Sequence, residues 1–229
     1  IVTESKECSC TSVGNSSCCL WHMLASSLLS RGKAIGIQHR SAVEEHRAGS
    51  IHYRSASMQP VGPTMELWAP RPLMAGNLCQ SMLAQFIEGF NWHDLRWGTS
   101  AAKSVTLSFS VLATGSSAGN VTGTYCVQCT NAGYYNRAYI KEYTIDAINV
   151  WKRVTLTFPG DTSGSWDTQN DASCRFAWFL AAGTDHHGSA DSWGAFKATT
   201  SNQKNFLGNV NNMLFITDVQ VEEGTVATP

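Results

Sequence analysis

The sequence predicts an all-β chain, an antiparallel β-sandwich or jelly roll, on three observations. Only 14% of the 229 residues are charged, while Gly, Ser, Thr and Asn abound, and that balance favours strands and turns over solvated helices. Segments with apolar residues at every second position recur between Lys103 and Glu222, which is the period of a half-buried strand. Clusters of Gly, Ser, Asn and Pro separate them, and these residues stop strands and start turns. The length allows one large all-β domain or two small ones.

The first strand is read at 103–113, where Val105, Leu107, Phe109 and Val111 alternate with Thr106, Ser108 and Ser110. A Gly/Ser/Asn loop at 115–120 ends it, and 121–128 reads as its hairpin partner with a bend at Gly123. Residues 137–145 place Tyr139, Lys141, Tyr143 and Ile145 on one face. Residues 151–158 set Val154, Leu156 and Phe158 against Arg153, Thr155 and Thr157, until Pro159-Gly160-Asp161 stops the strand. The run 174–182 is apolar almost throughout, with Phe176, Trp178, Phe179 and Leu180, as expected of a central strand covered on both sides. Residues 212–222 close the series, with Met213, Phe215, Thr217, Val219 and Val221 opposing Leu214, Ile216, Asp218 and Gln220. Phe109, Leu156, Trp178 and Phe215 are the expected core residues.

The first 84 residues differ in character. They hold none of the nine Phe and none of the eight Asp, but five of the eight Cys, five of the six Met and four of the seven His. Neither strand nor helix period persists in them, and Pro60, Pro63, Pro70 and Pro72 interrupt their end. The chain therefore divides into 1–84, a segment without a readable fold that is left open as a contributor of strands, and 85–229, a sandwich domain. A divergent module and a shifted reading frame both account for the composition of 1–84.

Sixteen basic and seventeen acidic residues give a formal charge of −1, which lacks the basic footprint of a nucleic-acid binder. No apolar run approaches the roughly 18 residues that span a bilayer, so neither nucleic acid nor membrane insertion is expected. The stretch 20–29 is broken by His22, Ser26 and Ser27, and the acidic residues before it argue against a signal-peptide core.

Several ordered segments resemble a jelly-roll family of bacteriophage structural proteins, of tail-fibre or head-decoration type. The first are the run from Gln85 through Phe86, Ile87, Glu88, Gly89 and Phe90 to Asn91, then Asp94-Leu95-Arg96-Trp97-Gly98-Thr99, then Val105-Thr106-Leu107-Ser108-Phe109. Tyr143-Thr144-Ile145, Asn149-Val150-Trp151 and the turn from Pro159 to Trp166 follow. The segment from Phe215 to Glu222 and the closing Gly224-Thr225-Val226-Ala227-Thr228-Pro229 complete the series. The resemblance covers about residues 85–229 and implies a sandwich like that of carbohydrate-binding modules, a location in the virion, and no fixed catalytic residues. Its implied partners are other virion proteins and copies of the chain itself, since exposed strand edges are often met by neighbouring subunits.

Candidate chemistry is sparse. Gly115-Ser116-Ser117-Ala118-Gly119 has the form of a nucleophile elbow, but that motif needs a helix after its serine and a strand is expected here. Cys126 and Cys129, three apart in a strand, point to opposite faces and do not form a redox pair. Cys8, Cys10, Cys18, Cys19 and His22 lack the doubled spacing of a zinc site. Asp185, His186, His187 and Asp191 gather ligand-type side chains in a loop without a third spaced pair. No catalytic residue and no metal site is assigned, and no cofactor is expected beyond room for a structural calcium ion on loop oxygens. Glycan contact calls for aromatic platforms beside polar loop groups. Tyr134, Tyr135, Trp166, His186 and Trp193 are the candidates. The reading is a non-enzymatic virion component, fibre or capsid decoration; the alternatives are a host-glycan recognition module and, more remotely, a glycan depolymerase.

Overall fold

The computed structural model describes residues 80–228, together with the backbone of three short strands upstream. Those strands are β1 (Cys19–Met23), β2 (Tyr53–Arg54) and β3 (Met65–Trp68). The side chains of Cys8, Cys10, Cys18, Cys19 and His22, on which the zinc question turned, lie outside the described residues, as does the stretch that follows Met23.

The remaining strands are β4 (Gln80–Glu88), β5 (Val105–Thr114), β6 (Gly123–Asn131), β7 (Ala138–Ile145), β8 (Lys152–Phe158), β9 (Ala172–Ala182) and β10 (Met213–Glu223). They form two five-stranded sheets, one ordered β1-β4-β9-β6-β7 and the other β2-β3-β10-β5-β8. Every pairing is antiparallel except β1 with β4. This is the antiparallel sandwich the alternation called for. The division drawn at residue 84 falls inside β4, and the three upstream strands add to both sheets.

The core lies between the layers. Leu107, Phe109 and Val111 of β5, Val154, Leu156 and Phe158 of β8, and Cys174, Phe176, Trp178 and Leu180 of β9 meet there as one apolar cluster. Period 2 explains the choice, because successive side chains leave opposite faces of a strand. The central strand β9 is covered on its other face as well. Phe179 and Ala177 pack there with Met82, Ala84 and Ala198, so the nearly continuous apolar run is matched by two buried faces.

The cover is the long connection after β9, residues 183–212. It bridges Ala138 at Gly194 and returns across β6. Gln128 Nε2 donates to the Lys197 carbonyl, and the Cys126 amide donates to Gln203 Oε1 at 2.8 Å. Glu142 accepts from Thr200 Oγ1 and Asn202 Nδ2.

Three expectations are corrected. Residues 103–113 and 121–128 are not a hairpin: β5 pairs with β8 and β10, while β6 pairs with β7 and β9 in the other layer. The link between them contains a helical turn, Ala118–Val121, where the small residues after Ser117 had been read as a loop running into a strand. Ser117 therefore does precede a helix, but one turn long, and among the described residues no histidine or carboxylate bonds to it.

Phe215 is the third correction. On β10 the buried residues are Leu214 and Ile216, and Phe215 is only half-buried on the outer side. The register slips between Thr217 and Gln220, and Asp218 adopts a left-handed φ of 52°. This β-bulge reverses the phase, so that Val219 and Val221 turn inward beyond it. Leu214→Ala is expected to cost about 2–5 kcal/mol, and Phe215→Ala distinctly less, by urea unfolding. The opposite order would put the core on the Phe215 face.

Candidate functional site

The strand ends define a pole of the sandwich. β4 ends and β9 begins together at Glu88 and Ala172, the last pair of β6 with β7 is Thr130 with Ala138, and β5 begins opposite the end of β8 at Val105 and Phe158. Three connections therefore emerge on one side: 89–104, 132–137 and 159–171. The first opens with a helical turn, Gly89–Trp92, and a 3-10 turn, His93–Leu95.

Tryptophans join these connections. The ring of Trp97 meets Trp92 at 4.9 Å, Trp166 at 4.7 Å and Trp193 at 5.3 Å between centroids, each edge to face. Trp92 also reaches Phe176 in the core at 6.1 Å. Such pairs prefer this geometry because the positive ring edge meets the negative face. Three of the indole nitrogens are tied down too: Trp97 donates to the Lys103 carbonyl at 2.6 Å, Trp193 to the Pro159 carbonyl at 2.9 Å, and Trp166 to Asp161 at 3.3 Å.

Asp161 is the polar centre of the pole. Its carboxylate, 1% exposed, accepts from Arg137 Nε at 2.9 Å and Nη2 at 2.5 Å, and from the Ser163 amide at 3.3 Å. Its carbonyl accepts from the Gly98 amide at 2.7 Å. These bonds hold the Arg137 guanidinium above its ordinary pKa.

Gly98 completes the clamp. It has a φ of +85°, and a Cβ there would lie 2.8 Å from the Gly164 carbonyl oxygen. Only glycine permits both this conformation and this approach of two loop backbones.

Between the clamped loops opens a cleft of about 400 Å³. One wall carries His93, Arg96 and Thr99, the other Asp167 and Thr168, and Trp92, Trp97 and Trp166 contribute to its lining. His93 Nδ1 lies 2.8 Å from the Phe90 carbonyl and Nε2 lies 3.1 Å from Asp94. Asp167 accepts from the Gln169 amide at 2.7 Å.

The sequence candidates fall unequally about this site. Trp166 lines the cleft but is only 9% exposed, and Trp193 is half-buried among Trp97, Trp166 and Tyr139. Both serve as packing in the tryptophan cluster, contrary to their reading as open platforms. Tyr134, 55% exposed, stands on the turn 132–137 at the same pole, which the buried Asn131 pins through the amides of Asn136 and Arg137.

Tyr135, 39% exposed, leans over the outer sheet face. Its ring lies 5.0 Å from the Arg175 guanidinium and 6.1 Å from Phe196. Arg175 is fully buried and bonds Gln128; desolvation pushes its pKa down to about 10. His186 is placed elsewhere, just beyond the far end of β9. Among the described residues no group of three or more His, Cys, Asp or Glu is placed to hold a metal ion, and no helix is long and apolar enough to cross a membrane.

Cys126 contacts Thr200 on the outer face, while Cys129 turns inward to 3.5 Å from Cys174, sulfur to sulfur. The opposite pointing expected of that pair is what is found. Burial raises both the Cys126 and Cys129 thiols.

Sequence reasoning passed over Trp92 and Trp97 as site residues. The signal was present: two tryptophans five positions apart, spaced by His93, Asp94 and Arg96, directly after a strand.

No family model matches the chain, and no curated protein matches it. Among solved structures it is similar to a family 4 carbohydrate-binding module at 13% identity and a TM-score of 0.39, over 75% of this chain and 77% of that one. It is also similar to the family 11 module from Clostridium thermocellum, solved with a β-1,3-1,4-mixed-linked tetrasaccharide, at 14% identity and a TM-score of 0.36, over 78% and 85%. A third is the family 22 xylan-binding domain from Paenibacillus barcinonensis, at 7% identity and a TM-score of 0.33, over 78% and 83%. These scores lie well under 0.5, and the sandwich assignment stands on the strand pairing itself.

Proposed function

We propose that the chain is a non-catalytic saccharide-binding module whose ligand sits in the cleft at the tryptophan-rich pole. The supporting observation is the cleft itself. It is open, large enough for a short oligosaccharide, lined in part by indoles, and edged by Arg96, His93, Asp167, Thr99 and Thr168. A sugar offers apolar C–H faces and a rim of hydroxyls, which a site of few polar groups on an aromatic base complements. Glycoside hydrolysis generally uses two carboxyl groups about 5–10 Å apart, and Asp167 is the one carboxylate that lines the cleft among the described residues. A single carboxylate supports the reading of binding without turnover.

The test is a tryptophan-fluorescence titration of the full chain against an oligosaccharide panel, with chain length followed in parallel. Binding is expected to change the emission, and Thr168→Tyr, which puts bulk at the rim, is expected to weaken it roughly tenfold or more. Undiminished binding by that variant would overturn the site, and shortened glycan would overturn the non-enzymatic reading. Tyr134→Ala, an exposed change, reports whether the neighbouring turn adds a stacking surface.

The virion role is a second reading, resting on the ordered segments of 85–229 that resemble phage structural proteins. In that setting copies of the chain, together with other virion proteins, would multiply weak single-site binding. β8 ends its sheet without a further strand among the described residues, an edge where another subunit can add. Proteomic detection of the chain in purified particles decides it.

A further inference from the structure

We propose that the ligand of this cleft is an acidic saccharide whose carboxylate is read by Arg96, an inference that rests on the saccharide reading above.

Four arginines have described side chains, and three are engaged by the protein. Arg137 grips Asp161, Arg153 bonds the Asp218 carbonyl, Ser108 and Gln220, and Arg175 lies on Gln128 between two rings. Arg96 lines the cleft, is exposed, and its guanidinium has no hydrogen bond or ion pair among the described residues. Of the acids beside the cleft, Asp94 pairs with His93, and Asp167 accepts the Gln169 amide.

The backbone holds this cation in place. Arg96 has a left-handed φ of 55°, its amide donates to the His93 carbonyl at 3.0 Å, and its carbonyl accepts from Thr99 Oγ1 at 2.7 Å. A non-glycine residue in that region costs energy and persists where its surroundings over-determine it, often at binding sites. Trp92, buried beside this wall, carries an indole N–H with no acceptor among the described residues.

A planar guanidinium presents a fork of N–H donors that fits a carboxylate through two parallel bonds. Sulfate esters offer the same two-oxygen edge, so the probes must separate them. A uronic acid is the form that brings a carboxylate on a sugar ring, so that the ring enters the cleft while the acid turns to the Arg96 wall.

The experiment uses the full chain and isothermal calorimetry, at low and high salt, with a panel of oligouronates, the same oligomers carboxyl-reduced to neutral sugars, and their sulfated counterparts. The unmodified chain is expected to prefer the oligouronate over its reduced form by roughly tenfold or more, with the preference shrinking in high salt. Arg96→Gln is expected to erase the preference while melting at the same temperature, and Arg96→Lys to restore only part of it, because the charge returns without the fork. Equal binding of acidic and neutral oligomers overturns the Arg96 inference and leaves the saccharide site standing. Preference for the sulfated form overturns the carboxylate assignment. No binding of any oligomer overturns both the inference and the function on which it rests.

Discussion

Trp178→Ala is expected to cost about 3–5 kcal/mol of stability, among the largest effects of any single truncation in the sandwich. Trp178 sits mid-strand in β9, paired with Leu83 on one side and Val127 on the other. It is 1% exposed, and its ring meets Phe109 from the opposite sheet at 5.6 Å and 90°. Truncation would open a cavity where the two layers touch, and neither layer can collapse to fill it without breaking ladder bonds. Since folded domains are stable by only about 5–15 kcal/mol, denaturant titration should show a large fall in midpoint. Trp178→Phe is expected to cost much less, because the indole N–H has no partner among the described residues and only part of the volume is lost. A change below about 1 kcal/mol for the alanine variant would contradict this packing.

Arg137→Ala is the second large effect, expected at about 3–5 kcal/mol. The asymmetry of the pair sets its size. The Arg137 side chain is partly exposed, at 24%, while Asp161 is at 1%. Removing the arginine strands a carboxylate that water cannot reach, whereas removing the acid leaves a cation that can still be hydrated. Asp161 would keep its bonds from Ser163 and Trp166, but these supply no charge. The measurement is chemical unfolding of Arg137→Ala beside the double variant Arg137→Met with Asp161→Leu. Recovery of much of the loss in the double variant is expected, since an apolar pair of similar volume avoids the buried charge. Equal stability of Arg137→Ala and the unmodified chain would show the ion pair to be dispensable.

Strands β5, β8, β9 and β10 were legible because each must serve a buried face, and burial writes a period of 2 into the chain. What those alternations do not record is which strand pairs with which. β5 and β6 follow each other through the short connection 115–122, yet they lie in different layers, and the one-turn helix that makes the crossing leaves no apolar pattern. Nor does alternation reveal a change of phase. A single Asp in a left-handed conformation moved Phe215 outward, and Asp tolerates that conformation as a matter of local chemistry, without any mark in the hydrophobic pattern.

The site was half-legible for a related reason. Trp166 and Trp193 lie in polar, glycine-rich stretches that read as solvated, and only the tertiary meeting with Trp97 buries them. Tyr134 needed no such partner and is exposed as its loop implied.

The meeting of Gly98 with Gly164 has a consequence for what the molecule can accept. These two positions set the distance between the jaws, yet neither has a side chain to offer a guest. In the proposed saccharide site, the width of the cleft is thus set where no recognition chemistry resides. A methyl group at Gly98 would run into the facing backbone and force the jaws apart, changing the width of the guest admitted while leaving Arg96, His93 and Asp167 untouched. On the proposed function, selectivity for shape and selectivity for charge therefore rest on different residues of this sandwich.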